Sequence, residues 1–274
     1  MIIALLHPGN MGAAIGARLV KAGHTVLWND ENRSATTLQR ANAAHLTATH
    51  DIGELLGQAE VVFSICPAAA APAVAETVAQ HQYSGLYVDA NAISPQQMLE
   101  ITATMGSARV VDAAISGPPP RDTPSAKLFL AGPDHAVGVV GQLLEDAGLD
   151  ADPVSETIGA ASALKMALIS FQRTARLLAA VAHGLADAHG VTHALVAEAT
   201  RIGADVLADR DGLSGAAARA WRWNTEMHEV STTLKCSNLP SELAIASEQL
   251  YEALVGYKDD WAAPPERVIQ SLKK

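Results

Sequence analysis

Residues 2–16 read IIALLHPGNMGAAIG, which is a short apolar run, a turn that contains Gly9 and Gly12, and an apolar helix-forming segment. A strand that leads through a glycine turn into a helix brings free backbone N–H groups and the positive end of the helix towards one point. Glycines at such a turn let an anion approach the backbone closely. The stretch therefore predicts a phosphate-binding turn between the first strand and the first helix.

This glycine motif is incomplete. The first glycine of the pattern G-x-G-x-x-G would fall at His7, so only Gly9 and Gly12 match. An ordinary strand-to-helix turn with glycines is the alternative interpretation. The position between a strand and a helix favours a dinucleotide site, with Gly9, Asn10, Met11 and Gly12 as cofactor-binding residues.

The residues after the second predicted strand bear on the choice of cofactor. Asp30 stands 21 residues beyond Gly9, where an acidic side chain accepts hydrogen bonds from the ribose 2′-hydroxyl of NAD. Asn32, Arg33 and Ser34 follow it and are of the kind that binds a 2′-phosphate. A polar loop that caps the next helix through Ser34 is compatible with either cofactor. We predict that NADP(H) is favoured, that NAD(H) is the other candidate, and that these three residues bind the cofactor.

Short β-branched runs alternate with helical stretches in the first half of the chain, which is typical of parallel β–α–β units. The predicted strands are Ile2–Leu6, Thr25–Trp28, Val61–Ile65, Leu86–Asp89, Arg109–Ala113 and Lys127–Ala131. Helix periodicity marks Met11–Ala22, Ser34–Ala43 and Ile52–Leu56. This pattern predicts an α/β Rossmann domain, a doubly wound parallel sheet, over residues 1–154.

The second half of the chain has a different pattern. From about Ser155 the strand signal stops and long Ala/Leu-rich segments follow, so residues 155–274 are predicted to form an all-α substrate and dimerisation domain. Ile158–His189 reads as one long helix. A small N-terminal domain cannot cover both of its apolar faces, so we expect a homodimer in which this helix meets the partner subunit.

Composition narrows the function classes. The chain has 274 residues, 49% of them hydrophobic, and a formal net charge of −10, which is typical of a globular protein and disfavours nucleic acid or an acidic membrane surface as a partner. No apolar run approaches the roughly 20 residues that span a membrane, and the opening MIIALL is too short for a signal peptide. We therefore expect a cytoplasmic protein whose partners are a small-molecule substrate and, in the homodimer, a second copy of the chain.

Neither the cysteines nor the histidines predict a metal site. Cys66 and Cys236 lie far apart without the spacing of a metal knuckle or a redox pair, so reduced thiols are expected. His183, His189 and His193 cluster in the sequence, but a glycine at position 190 interrupts the helix that would place two of them on one face. Surface or helix-end histidines are the favoured interpretation, and no metal is predicted.

Four segments, taken in order, resemble the β-hydroxyacid dehydrogenase family, which includes 6-phosphogluconate and 3-hydroxyisobutyrate dehydrogenases. The likeness extends over the N-terminal domain, while the segment Trp221–Met227 is similar to a prokaryotic subgroup of phosphogluconate-dehydrogenase-like NAD-binding proteins whose C-terminal domain has no assigned chemistry. The four segments are Gly9–Leu19 with Gly23-His24, similar to GxGxMGxxxAxxL; Asp89–Pro95, similar to DxSTISP; Asp112–Gly117, similar to DAPVSGG; and Gly159–Lys165, similar to GxGxxxK.

The resemblance assigns roles to particular residues. Lys165 stands where the family has its catalytic lysine, and hydride transfer to or from a carbinol carbon requires a group that gives or takes the hydroxyl proton. A lysine whose ammonium reaches solvent is the alternative. Ser116 and Gly117 would bind the substrate, and Asn91 would lie beside both substrate and nicotinamide. Cys66 and Pro67, at the turn after a predicted strand, complete the predicted cofactor-binding residues.

Three departures from the family pattern bear on the substrate. The family's asparagine four residues after the lysine is Ile169 here, its DxSTISP threonine is Ala92, and the second glycine of its substrate loop is Pro118. Each change removes a polar group or a backbone donor. They disfavour a sugar-phosphate acid and favour a smaller or more apolar substrate.

Three functions therefore remain open. The first is an NAD(P)-dependent oxidoreductase acting on a small hydroxyacid or a related carbinol or carbonyl compound, with Lys165 as general acid or base. The second is an imine reductase, which the loss of the asparagine favours and the retained lysine disfavours. The third is a non-catalytic dinucleotide-binding sensor, which needs the N-terminal domain alone.

Overall fold

The computed structural model describes residues 1–121 and 126–273, which divide into two compact units, Met1–Lys165 and Met166–Lys274. The first unit contains one eight-stranded sheet with the strand order β3-β2-β1-β4-β5-β6-β7-β8. Its strands are β1 Ile2–Leu6, β2 Thr25–Asn29, β3 Thr47–Thr49, β4 Val61–Ser64, β5 Leu86–Asp89, β6 Arg109–Ser116, β7 Lys127–Ala131 and β8 Asp150–Ser155. Its helices are α1 Asn10–Lys21, α2 Ala35–Ala43, α3 Ile52–Gln58, α4 Ala71–Gln80, α5 Pro95–Met105 and α6 Asp134–Asp146.

This architecture confirms the predicted Rossmann-like fold, and all six predicted strands are present. Two strands were missed, β3 and β8, which lie at the two edges of the sheet. Most residues of both are exposed or half-buried, and β8 contains Pro153. Edge strands without an apolar run carry little sequence signal, because their side chains do not pack into a core.

The expectation of parallel pairing throughout was wrong at β7. β7 pairs antiparallel with β6, and Ser116 lies opposite Lys127. Only residues 117–126 connect the two strands, and a parallel crossover needs a dozen or more residues, usually with a helix. The chain therefore turns back at this point, and the parallel order resumes with β8 after α6.

Side chains alternate between the two faces of the sheet, and each face has its own core. In β1, Ile3 and Leu5 join the first core, whereas Ala4 and Leu6 join the second. Helices α1, α2 and α6 cover the first face, and α3, α4 and α5 cover the second. This arrangement directs the carboxyl ends of β1, β4, β5 and β6 to one edge of the sheet, which is where ligands bind in such folds.

The second unit is helical, as predicted. The long helix α7, Ala160–Ala188, begins in the first unit and continues into the second. The others are α8 Thr192–Arg201, α9 Asp205–Ala208, α10 Gly212–Cys236, α11 Glu242–Glu252 and α12 Pro265–Ser271. In the described part of the chain, no helix is long and apolar enough to cross a bilayer.

A buried ion pair organises the helical unit. The Arg173 guanidinium in α7 donates to the Glu226 carboxylate in α10, and its central carbon lies 4.8 Å from the ring centre of Trp223. The hydroxyl of Tyr251 in α11 donates to the Arg173 carbonyl at 2.9 Å. Because a buried charge needs both a counter-charge and hydrogen bonds, this cluster fixes the mutual packing of α7, α10 and α11.

Candidate functional site

The turn after β1 has the geometry that a dinucleotide fingerprint requires. His7 has φ 67°, the tight-turn conformation that the first fingerprint glycine normally supplies. A Cβ added to Gly9 would meet nothing within 4 Å, so this position is open to a ligand. A Cβ added to Gly12 would lie 2.9 Å from the His7 carbonyl oxygen, so the helix packs too closely there for a side chain. The three positions therefore have the backbone features that the three fingerprint glycines provide, although only two are glycines.

The first turn of α1 is suited to an anion. Its N-cap, Gly9, has no side chain to cap the helix, and no acidic residue occupies the first turn. The first N–H groups of a helix have no intrahelical acceptor, and the helix dipole adds positive potential to them. Asn10, Met11 and Gly12 form this turn, so the residues present fit the pyrophosphate of a dinucleotide.

The loop after β2 holds the residues predicted to choose the cofactor. The Arg33 Nε donates to the Asn29 carbonyl at 3.3 Å, which holds this side chain against the end of β2. Ser34 accepts from the Thr37 N–H and caps α2, as the alternative interpretation expected. The Asp30 carboxylate lies 2.7 Å from His50 Nδ1, so this acid already faces a partner.

Sequence reasoning missed Arg40, whose guanidinium reaches the turn after β1. Its Nη1 donates to the Pro8 carbonyl at 3.5 Å, although the two residues are 32 positions apart. Arg40 also lines a cavity of about 550 Å³ along α1, together with Asn10, Arg18, Lys21 and Arg121. Of the predicted site residues, only Asn10 borders this cavity.

Asn91 joins the ends of β4 and β5. Its side-chain oxygen accepts from the Cys66 N–H at 2.6 Å, and its Nδ2 donates to the Ser64 hydroxyl at 3.0 Å. Asp89 accepts from the Asn91 N–H at 3.1 Å. The structure thus brings together Cys66 and Asn91, two of the predicted cofactor-binding residues, and this bond shapes the loop that continues through Pro67.

Burial changes the acidity of two groups in this network. It raises the pKa of Asp89 from 3.8 to about 7, and the nearby Asp112 carboxylate adds to the effect. Burial, helped by the Asp89 charge, raises the pKa of the Cys66 thiol to about 12. Cys66 is therefore a neutral thiol at physiological pH, without the lowered pKa of a reactive cysteine.

Lys165 lies beside the predicted substrate loop. Its Nζ donates to the Ile115 carbonyl at 2.6 Å, and Ile115 directly precedes Ser116 and Gly117 in the chain. Gly117 has φ 99°, a conformation that a residue with a Cβ rarely adopts, so the loop turns sharply at this point. The catalytic candidate and both substrate-loop candidates therefore lie at the end of the same strand, β6.

A second contact between β6 and α7 explains how Lys165 is held. One Asp112 oxygen accepts from the N–H groups of Gly159 and Ser162 at 2.9 and 3.1 Å, and the other accepts from the Ser162 hydroxyl at 2.7 Å. These bonds satisfy donors at the start of α7 that have no intrahelical acceptor. Asp112 belongs to the DAPVSGG-like segment, but the sequence pattern did not reveal this role.

Comparison with known proteins identifies the family. The model of the NAD binding domain of 6-phosphogluconate dehydrogenase matches residues 3–159, more than half of the chain. The chain belongs to this family. A domain of unknown function, DUF1932, matches residues 186–254, in the helical unit. Together the two matches confirm the family resemblance that the sequence segments indicated, including the subgroup with no assigned C-terminal chemistry.

Solved structures share the fold over nearly the whole chain. The 3-hydroxyisobutyrate dehydrogenase of Mycobacterium tuberculosis, solved with L-serine, has a TM-score of 0.79 at 20% identity, covering 100% of this chain and 99% of that one. The enzyme of the same name from Salmonella typhimurium has 0.70 at 17%, covering 98% and 99%. An imine reductase variant from Myxococcus stipitatus in complex with NAD⁺ has 0.60 at 18%, covering 99% of each chain. No curated protein matches the chain significantly.

The family and these neighbours support an NAD(P)-dependent oxidoreductase with a nicotinamide cofactor. The roles of individual site residues stay predictions. No group of three or more metal-binding side chains occurs within residues 1–121 and 126–273.

The raised pKa of Asp89 predicts a measurable pH effect on stability. The folded state holds this proton more tightly than the unfolded state, so ionisation of Asp89 lowers the free energy of unfolding as the pH rises from about 4 to about 7. Asp89→Asn removes this ionisation. We expect the variant to gain stability relative to the natural protein, by up to a few kcal/mol, as the pH rises through this window.

Urea unfolding at pH 5 and pH 8 measures this difference. Asp260→Asn, at an exposed aspartate, is the matched control and should show no such pH-dependent gain. A constant difference between Asp89→Asn and the natural protein at both pH values would show that Asp89 ionises normally.

Proposed function

We propose that this protein transfers a hydride between NAD(P) and a small hydroxyacid or a related carbinol or carbonyl compound, with Lys165 as the general acid or base. The observation that carries the proposal is the position of Lys165, whose Nζ lies 2.6 Å from the Ile115 carbonyl, next to the loop of Ser116 and Gly117. A proton-transfer group held beside two donors suited to a carboxylate is the arrangement that hydroxyacid chemistry needs.

Each group at the end of β6 has a distinct role in this proposal. The nicotinamide, when bound, supplies or accepts the hydride. The Ser116 hydroxyl and the Gly117 N–H bind the substrate carboxylate, while Lys165 gives or takes the proton of the reacting oxygen. The side chain of Asn91 holds the Cys66 backbone and the Ser64 hydroxyl. We therefore assign Asn91 two roles, which are to maintain the shape of the nicotinamide pocket and to contact the substrate.

The substrate should be small. The M. tuberculosis dehydrogenase was solved with L-serine, a small β-hydroxyacid, and this supports a compact substrate for the present chain. Isoleucine at position 169 offers no polar group where the family has an asparagine. Both points favour a short-chain acid over a sugar-phosphate acid.

The cofactor is proposed to be NADP(H) in preference to NAD(H). Arg33 is held against the end of β2, where a guanidinium can pair with a 2′-phosphate. Asp30, whose carboxylate lies 2.7 Å from His50 Nδ1, would repel that phosphate. The Arg33 guanidinium and the opposing Asp30 charge together leave NADPH only a modest advantage.

Fluorescence titration of both reduced cofactors tests this preference. The natural protein should bind NADPH more tightly than NADH, and Arg33→Ala should remove most of the difference by weakening NADPH alone. Arg201→Ala, in the helical unit and exposed, serves as the control. A clear preference for NADH that Arg33→Ala leaves unaltered would contradict the proposal.

Imine reduction is the second candidate function. Imine reductases from several bacteria share the fold over nearly the full chain, including that of Streptomyces aurantiacus with a TM-score of 0.61. The apolar residue Ile169 also fits a less polar substrate. Lys165 distinguishes the candidates, since the hydroxyacid reaction depends on its proton transfer.

Replacement of Lys165 tests the proposed mechanism. Lys165→Met should bind NADPH with unchanged affinity but lower kcat on the best hydroxyacid or ketoacid by roughly a hundredfold or more, the usual contribution of general acid–base catalysis. The measurement is NADPH consumption or formation against hydroxyacids, ketoacids and cyclic imines.

The matched control is Lys235→Met, at an exposed lysine near the end of α10, which should leave kcat unchanged. Retained turnover of an imine by Lys165→Met would favour the imine reductase. The absence of turnover on every substrate by the natural protein, with NADPH still bound, would favour the non-catalytic sensor.

We also propose that the protein is a cytoplasmic homodimer built on α7. Phe171, Leu178 and Leu185 recur every seven residues along this helix and are 72%, 58% and 64% exposed. A heptad-spaced apolar stripe is the pattern by which one helix packs along another. Contiguous apolar surface of this kind marks a protein–protein contact, and a second copy of α7 presents the same stripe.

Light scattering measures the subunit count. We expect about twice 28.5 kDa for the natural protein and a shift towards the monomer for Leu178→Glu, because a charge would then be buried in the interface. Gln172→Glu adds the same charge to the same helix at an exposed polar position and should remain dimeric. A natural protein that is monomeric at micromolar concentration would overturn the dimer.

A further inference from the structure

His7 is a departure from the dinucleotide fingerprint that the proposed function does not use. It directly follows β1 at the position of the first fingerprint glycine, and its φ of 67° lies in the left-handed region. Residues other than glycine rarely adopt this conformation, and it costs them backbone strain. A contact made by the His7 side chain at this turn would offset the cost of that strain.

The imidazole of His7 lies partly buried beside the cofactor loop. Its Nδ1 is buried and has no hydrogen-bond partner among the described residues. Burial and the positive charge of Arg33 lower the pKa of this imidazole from 6.5 to about 4, so the ring is neutral at physiological pH.

The neutral ring has two tautomers, and the surroundings favour one of them. A proton on the buried Nδ1 would be a donor without an acceptor, which is costly. The favoured tautomer therefore carries its proton on Nε2, which is not among the buried polar atoms without a partner. A neutral donor can stand near the Arg33 guanidinium, whereas a second cation would be repelled.

We propose that His7 is a cofactor-binding residue whose imidazole Nε2–H donates a hydrogen bond to a phosphate oxygen of the dinucleotide, beside Arg33. This inference rests on the cofactor binding of the proposed function but does not depend on the substrate. Glycine in the fingerprint leaves the backbone bare at this point. With histidine at this position, a side-chain donor to the phosphate compensates in part for the close contact between phosphate and backbone that a glycine would allow.

Replacement by glycine separates a binding role from simple occupancy of space. His7→Gly restores the fingerprint and relieves the backbone strain, since glycine accepts positive φ readily, so the thermal unfolding midpoint should not fall. Loss of a hydrogen bond to a charged oxygen should weaken dinucleotide binding by about tenfold or more. His7→Asn tolerates the same backbone conformation and keeps an N–H donor, so it should lie between the two.

Titrations with NADPH and with NADH identify the phosphate. Weaker binding of both cofactors by His7→Gly supports a contact to the pyrophosphate, and weaker binding of NADPH alone supports a contact to the 2′-phosphate. Unchanged or tighter binding of both cofactors overturns the proposal, because the imidazole would then contribute nothing to binding or would hinder it. A natural protein that binds neither cofactor would refute the proposed function itself, and the proposal for His7 with it.

Chemical modification of the natural protein gives a second measurement that needs no variant. Diethyl pyrocarbonate acylates neutral imidazole, and peptide mass spectrometry reports each histidine separately. Saturating NADPH should protect His7 while the exposed His189 reacts as before. Equal modification of His7 with and without NADPH would overturn the contact.

Discussion

The structure of the candidate site depends on one buried carboxylate. The side chain of Asp112, in β6, accepts three hydrogen bonds from the start of α7, at 2.7 to 3.1 Å. One turn later Lys165 donates back to the same strand through the Ile115 carbonyl. Two attachments, three residues apart on β6, therefore fix both the start of the helix and the amine that it carries.

This arrangement places two carboxylates on neighbouring strands. Asp89 and Asp112 lie opposite each other in the register of β5 and β6, and both are buried. Burial raises the pKa of Asp112, but the bonds from Ser162 and Gly159 oppose that rise. Asp89 has fewer donors and holds its proton up to about pH 7. The two buried acids thus differ in the number of hydrogen bonds that stabilise their charged forms.

The sequence predicted those parts of the molecule that local pattern controls. The β1 turn, the apolar central strands and the long helix all carry their own periodicity or glycine spacing, and the structure has them within a few residues of the predicted bounds. The edge strands β3 and β8 lack that signal, and the antiparallel β7 follows from a connection too short for a crossover. The residue roles that escaped prediction arise from contacts between distant positions, such as Arg40 with Pro8 and Asp112 with Ser162. No spacing rule within one chain marks such pairs.

The turn after β1 is proposed to bind a nicotinamide dinucleotide, and a substitution at Gly9 tests this binding most directly. Its Cβ position is open within 4 Å, so Gly9→Val should fold normally while its side chain fills the space that the pyrophosphate needs. The measurement is the fluorescence of reduced nicotinamide during titration of the natural protein and Gly9→Val with NADPH. Saturable binding by the natural protein and its loss in a variant with an unchanged unfolding midpoint is the predicted result. Equal binding by both proteins would contradict the claim.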